Sequence, residues 1–179
     1  AIEIDKEAAE QATENAAASP WADRIKVYNI NAKEFQSTKP YDLIISNPPF
    51  YENELKSGNS QKDVAHHSDE LQLNELLDII KHKLSPEGIF CLLLPFKRNE
   101  EIKKKLFQTG LFIQMICFVK QSVTHDYFRI MLMGKLRTTK PIETLIDEIS
   151  IKDDLLTDQQ TQYSSVFTKL LLDYYQHLF

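Results

Sequence analysis

The chain has 179 residues, 42% of them hydrophobic, which suits one domain with a sizeable core. A formal net charge of −5 argues against a strongly basic, non-specific nucleic-acid binder, although a local basic patch stays open. Its two cysteines, Cys91 and Cys117, sit in apolar runs without a CxxC or CxxH partner and read as reduced core thiols of a cytoplasmic protein. No apolar run is long enough to span a bilayer and no signal peptide is visible, so no membrane partner is expected. The first residues, AIEID, look like the end of a buried strand. With no Met and no leader, the chain reads as one whose natural N-terminus is missing.

Ile2–Ile4 is a strand stub. Asp5 can cap the helix that follows, with Glu7 in the first turn, where an acid suits the helix dipole. Ala8, Ala12 and Ala16 lie on one face of that helix and would permit close packing on a sheet. Ser19–Trp21 ends it, and Trp21 is expected in the core. Arg24–Asn29 alternates apolar and polar residues and predicts a second strand; Tyr41–Ser46 is the third. Tyr51–Ser68 is a long polar stretch without periodicity, the kind that serves as a lid or stays disordered. Leu73, Leu76, Leu77, Ile80 and Leu84 have helical spacing. Ser85–Gly88 turns into Ile89–Pro95, a nearly all-apolar run that suits a central strand buried on both faces.

Asn99–Thr109 reads as a helix with Ile102, Leu106 and Phe107 inward and Gly110 as its C-cap residue. Its charges, in Lys97–Lys105, mix both signs and read as a solvated face. Leu111–Val119 and Tyr127–Leu136 are strands joined by the short Lys120–Asp126 connection, which leaves no room for a crossover helix and predicts an antiparallel pair. Thr138–Gln162 is polar, with one weak strand at Ile146–Ile151. A final helix carries Phe167, Leu170, Leu171, Tyr174 and Leu178 on one stripe, with its aromatic residues in the core. This order predicts an α/β fold: a mostly parallel twisted sheet with helices on both faces and an antiparallel terminal strand pair. Residues 1–179 form one domain, with 138–179 as a C-terminal extension packing on it. Ligands in such folds bind at the carboxyl ends of the strands.

The third strand stops at Asn47, Pro48, Pro49 and Phe50. Proline cannot donate to a ladder, so the strand ends abruptly at this carboxyl edge. Asn47 does not titrate, and proline offers only a carbonyl. The quartet supplies two acceptors, the Asn47 side-chain oxygen and the Pro48 carbonyl, with Pro49 fixing the backbone that aims them. Phe50 adds a flat face for stacking. Two acceptors suit a planar NH₂ group such as an exocyclic base amine or a carboxamide. Pulling on both N–H bonds favours a pyramidal nitrogen with a localised lone pair, which is stabilisation by preplaced dipoles and not proton transfer. A sulfonium methyl group is an electrophile that such an amine can attack once aligned.

Glu3 closes the first visible strand, where an acid in dinucleotide-type folds binds ribose hydroxyls. Asn31 follows the second strand, where an amide can read an adenine edge. No Gly-rich phosphate-loop spacing occurs; the four glycines are Gly58, Gly88, Gly110 and Gly134. In Tyr51–Ser68, residues Lys56, Lys62, His66 and His67 can cover a flipped nucleotide. The paired histidines have no third ligand at helpful spacing, so no metal is expected.

The residues of AIEID through SPW and RI (Ala1–Ile25), YDLIISNPPFY (Tyr41–Tyr51), AHH (Ala65–His67), LSPEGIFCLLLP (Leu84–Pro95) and YSSVFTKLLLDYY (Tyr163–Tyr175) resemble a known family. It is the class I S-adenosylmethionine-dependent methyltransferases, in the branch that methylates planar amines, and within it the bacterial tRNA1(Val) (adenine-N6)-methyltransferases. The resemblance implies a Rossmann-like domain without its first strand and glycine loop. It implies S-adenosylmethionine as cofactor, bound by Glu3, Ile4, Asn31, Ala32 and Asn47. It implies Asn47, Pro48, Pro49 and Phe50 as the catalytic motif, Phe50, Tyr51 and His67 as substrate contacts, and tRNA as partner. The chain departs from the family where Asn31 stands for the usual Asp, where His66 stands for a frequent Arg, and in lacking the glycine motif. Residue chemistry alone leaves the amine open: N6 of a tRNA adenine beside the anticodon, a guanine N2 in rRNA, a DNA adenine, or a release-factor glutamine. A catalytically silent RNA-binding protein also remains open.

Overall fold

The computed structural model describes residues 1–48, 71–137, 143–153 and 162–174. Pro49, Phe50, Tyr51, His67 and the rest of Tyr51–Ser68 lie outside the described residues.

The chain starts with a small parallel unit, β1 (Ile2–Glu3), α1 (Lys6–Ala18) and β2 (Tyr28–Asn29). Asp5 caps α1 as expected, its Oδ1 accepting from the Ala8 N–H at 2.8 Å. The buried residue of α1 is Ala9; Ala12 and Ala16 are half-buried and Ala8 is exposed, so the packed face is rotated by about one residue from the expected one. The second strand is shorter than the Arg24–Asn29 alternation suggests. Its ladder partner runs only from Ala1 to Glu3, through Tyr28 N–H to Ala1 O at 2.9 Å and Ile30 N–H to Glu3 O at 3.1 Å. Trp21, expected in the core, is 53% exposed on the turn after α1.

A six-stranded sheet carries the rest. Its strands are β3 (Tyr41–Ser46), β4 (Leu84–Pro95), β5 (Leu111–Ser122), β6 (Tyr127–Leu136), β7 (Leu145–Asp153) and β8 (Gln162–Tyr163), in the order β3-β4-β6-β5-β7-β8. The helices are α2 (Leu73–Lys83), α3 (Asn99–Thr109), reached from β4 by the 3₁₀ turn Phe96–Arg98, and α4 (Ser165–Leu171). β3 and β4 are parallel, β5 and β6 are the expected antiparallel pair, and β6 inserts between β4 and β5. The C-terminal segment adds β7, parallel to β5, and then β8.

The core lies between the sheet and α2 with α3. Leu73, Leu76, Leu77 and Ile80 of α2 and Ile102 and Leu106 of α3 pack on Phe90, Leu92, Leu94, Ile116, Ile130 and Leu132. Phe107, expected inward, falls outside this stripe. It is 64% exposed, with the Arg137 guanidinium 4.4 Å from its ring centre. Gly110 ends α3 at φ 84°, a left-handed conformation that favours glycine.

β4 is less evenly buried than its composition suggests. Phe90, Leu92 and Leu94 are buried under the helices, whereas Ile89, Cys91 and Leu93 on the opposite face are half-buried. Ile45 of β3, paired with Cys91, is exposed. Both thiols are therefore only half-buried, and desolvation pushes them up from their ordinary pKa. Ser85–Gly88 is not a turn before β4 but a bulge within it. Tyr41 pairs with Leu84 and Leu43 already with Ile89, while the Ser85 hydroxyl donates to Asp42 Oδ1 at 2.9 Å. On α4, Phe167 and Leu171 are half-buried but Leu170 is exposed, as is Tyr174 beyond its end, so the expected stripe is only partly covered; Leu178 lies outside the described residues.

Gly134 lies where β6 threads between its neighbours, opposite Phe90 on β4 and Ile113 on β5. A Cβ there would stand 2.2 Å from Phe112 O and 2.5 Å from Phe90 Cζ. Gly134→Ala is expected to lower stability by roughly 1–3 kcal/mol through overpacking, read as a fall in the urea midpoint.

Candidate active site

The strand directions decide which side chains meet. β3, β4, β5 and β7 all point the same way, because β6 runs antiparallel to both β4 and β5 and β7 is parallel to β5. One edge of the sheet therefore collects Asn47 and Pro48 after β3, Pro95–Arg98 after β4, the Val123–Asp126 turn after β5, and Lys152 at the end of β7. Asp42 lies at the opposite end of β3, where it holds the Ser85 bulge.

Asn47 is exposed, and its side chain has no hydrogen-bond partner among the described residues. Pro48 behind it is buried. The amide thus stands on an anchored backbone at the carboxyl edge, exposed among the described residues. A primary amide whose oxygen and nitrogen have no partner among the described residues can serve a ligand.

The small unit presents its own carboxyl edge. The Glu3 carboxylate accepts from the Asp5 N–H at 2.9 Å through Oε1, and among the described residues its Oε2 has no partner. Asn29 supports this end from below, its Nδ2 donating to Glu3 O and Ile4 O at 3.0 Å each. After β2 the chain folds into a turn around Asn31. Oδ1 of Asn31 accepts from the Lys33 N–H at 2.9 Å, and its carbonyl accepts from Glu34 and Phe35. The Ala32 N–H has no partner among the described residues. A carboxylate oxygen beside a strand end, next to an amide oxygen and an uncommitted N–H, is the donor and acceptor set that ribose hydroxyls and an adenine edge require. The residues present fit an adenosine-containing cofactor.

A contact with α2 links the turn after β2 to the layer of the larger sheet. Lys33 Nζ lies 3.5 Å from Glu75 Oε1. Glu75 is in the first turn of α2, and its Oε2 accepts from the Gln72 N–H at 2.9 Å. α2 runs back along the sheet toward the start of β4, so its N-terminus stands at the carboxyl edge of β3. The turn after β2 is thus tied to the end of α2 that stands at the carboxyl edge of β3.

Several rim residues carried no clear sequence signal. Phe96, Phe118 and Tyr127 form a ring cluster with centroids 5.1–5.7 Å apart. Tyr127 reaches it through a bulge: Val119 pairs with Arg129 but Lys120 with Tyr127, which leaves Phe128 out of register. The Tyr127 hydroxyl donates to the Glu148 carboxylate, and this raises its pKa. Ser122, buried, bonds His125 Nδ1 at 2.5 Å and so fixes the β5–β6 turn. Asn99 Oδ1 is buried without a partner among the described residues. Among the described residues no group of three or more His, Cys, Asp or Glu stands close enough to hold a metal ion. None of the helices described is long and apolar enough to cross a membrane.

The RMKL-like, methyltransferase domain family matches residues 1–108. A tRNA1(Val) (adenine(37)-N6)-methyltransferase of Bacteroides thetaiotaomicron is 33% identical over 181 residues, covering 99% of this chain and 72% of that protein. The chain belongs to this methyltransferase family. Proteins with the same name from Pseudoalteromonas translucida and Klebsiella pneumoniae are 34% and 32% identical, each over 98% of this chain and over 72% and 69% of their own lengths. Solved structures show the fold. A protein of Listeria monocytogenes assigned to the class I S-adenosylmethionine-dependent methyltransferases has a TM-score of 0.59 at 13% identity, covering 99% of this chain and 54% of that one. The glycopeptide N-methyltransferase MtfA, complexed with S-adenosyl-L-methionine, has a TM-score of 0.54 at 10% identity, covering 76% and 71%. The architecture is that of a class I methyltransferase.

In this family member several charges at the start of α3 pair locally, as the mixed sequence suggests. Arg98 Nε and Nη2 donate to Glu101 at 2.8 and 2.9 Å, Lys105 reaches Glu101 at 3.1 Å, and Lys103 reaches Glu100 at 3.3 Å. The Arg98 hydrogen bonds hold the Glu101 carboxyl down at about 2, against an ordinary value of 4.5. A depressed carboxylate pKa stabilises the fold above the ordinary value, and the gain is lost as pH falls from 4.5 toward 2. The stability difference between the native chain and Arg98→Ala is expected to be constant above about pH 5 and to shrink toward zero near pH 2. Urea denaturation across this range checks it.

Proposed function

We propose that the chain transfers the methyl group of S-adenosylmethionine to the N6 amine of an adenine in tRNA, beside the anticodon of a valine tRNA. The observation that carries this reading is Asn47: an uncommitted primary amide at the carboxyl end of β3, followed by buried Pro48, in a chain whose relatives are named for adenine-N6 methylation. When bound, the cofactor supplies an electrophilic methyl group on a sulfonium.

The chain's own residues supply position. The Glu3 carboxylate takes the ribose hydroxyls, with Ile4 beside it. Ala32 N–H and the Asn31 amide meet the adenine edge. Asn31 already accepts from the Lys33 N–H, but a carbonyl oxygen has a second lone pair for the adenine amine. The Asn47 oxygen and the Pro48 carbonyl accept the two N–H bonds of the target amine and turn its lone pair toward the methyl group. Pro49 fixes the aim of those acceptors, Phe50 stacks on the base, and Tyr51 and His67 cover it. Neither Asn47 nor Pro48 accepts a proton at neutral pH, so their work is orientation and charge stabilisation, and the proton that the methylated nitrogen sheds passes to water. A tRNA substrate places the reaction in the cytoplasm.

The natural protein, given labelled S-adenosylmethionine and total tRNA, is expected to yield N6-methyladenosine in valine tRNA on digestion and mass spectrometry. Asn47→Ala is expected to lower kcat by about 10²–10³, the cost of one preplaced hydrogen-bonding group, while its Kd for S-adenosylhomocysteine stays within about twofold. Near-native turnover by Asn47→Ala would remove the proposed role. Label in rRNA, DNA or release factor instead of tRNA would remove the proposed substrate.

A further inference from the structure

Two side-chain contacts from α2 land on the turn that follows β2. Glu75, in the first turn of α2, pairs with Lys33 at 3.5 Å, and Lys83, in its last turn, places Nζ 5.6 Å from the Phe35 ring centre. The turn has its own internal bonding. Asn31 accepts from Lys33, Glu34 and Phe35 N–H groups, and the Phe35 ring packs 5.1 Å from Tyr28. Its shape is therefore local, whereas its place relative to β3 depends on α2. β2 is only two residues long, so its ladder to β1 is a weak constraint on where the turn sits.

We propose that Lys33 and Glu75 are positioning residues for the cofactor: their ion pair holds the Asn31–Ala32 turn level with the carboxyl edge of β3. This rests on reading Asn31 and Ala32 as the adenine contacts. Glu75 serves both sides of the site, since one carboxylate oxygen takes the turn and the other takes the Gln72 N–H that opens α2. The two side chains are 30% and 38% exposed, so the pair adds little to global stability and remains open to salt. A change in cofactor affinity without a change in Tm is the signature of placement.

The test uses the natural protein and calorimetric binding of S-adenosylhomocysteine. Lys33→Met and Glu75→Gln are each expected to raise Kd about three- to fivefold, the range of one half-exposed ion pair, with Tm unchanged within about 2 °C. Glu75→Gln keeps an oxygen for the Gln72 N–H, so α2 keeps its cap. Lys33→Arg is expected to bind as the native protein does. The native affinity is expected to fall toward that of Lys33→Met at about 1 M salt, where the pair is screened. Asn31→Ala separates the two readings. Native-like binding by Asn31→Ala overturns the adenine contact and the positioning role with it. Weakened binding by Asn31→Ala but not by Lys33→Met or Glu75→Gln overturns the positioning role alone. A parallel loss of Tm in Lys33→Met makes the pair structural and also overturns it.

Discussion

β6 threads antiparallel between β4 and β5, and the geometry of the site hangs on that insertion. A strand that runs against both neighbours leaves those neighbours parallel to each other. The carboxyl ends of β3, β4, β5 and β7 then open on one rim, while the bulge held by Asp42 and Ser85 lies at the other end of β3. Gly134 makes the threading possible, since the Phe90 ring and the Phe112 carbonyl occupy the space a side chain would need. The core on the α2 and α3 side then fixes β4, and β4 fixes β3, whose last residues are the motif.

Chemistry at the rim follows from what the fold leaves uncommitted. Among the described residues the Glu3 carboxylate has one oxygen engaged and one without a partner, Asn31 shapes its turn while the Ala32 N–H has no partner, and the Asn47 amide has none. By contrast, Lys103 and Lys105 pair within α3, and Arg98 of the turn before it pairs with Glu101 in its first turn. At the other end of the larger sheet's rim Lys120 is engaged as well, 3.8 Å from Glu148 and over the Tyr127 ring at 4.8 Å.

Much of this was legible before any coordinates. The alternation of helices and strands, the Asp5 cap, the Gly110 left-handed cap, the antiparallel β5–β6 pair and the end of β3 at Asn47 are all local or periodic signals. The misses have physical causes. Phe107 and Trp21 look like core residues by hydrophobicity, yet Phe107 lies off the Ile102–Leu106 stripe and Trp21 falls on a turn. Ala9 replaces Ala8 on the packed face of α1, because the alanine-rich segment offers several near-equivalent stripes. β4 looked buried on both faces because its composition is apolar, but only alternate residues meet the helices. The Lys33–Glu75 pair joins residues 42 positions apart in sequence, and no local pattern announces a contact that the tertiary fold creates. The bulge that turns Tyr127 into the ring cluster depends on the register between two strands, which composition does not encode. Phe50, Tyr51 and His67 lie outside the described residues.

The central claim is that the carboxyl rim of β3 holds a planar amine through Asn47 and Pro48. The most direct measurement is a crystal structure of the natural protein with S-adenosylhomocysteine and the anticodon stem-loop of a valine tRNA. The account predicts an adenine turned out of the loop, its N6 within about 3.2 Å of both Asn47 Oδ1 and the Pro48 carbonyl oxygen. A base bound elsewhere on the sheet, or an N6 that meets neither acceptor, would contradict it.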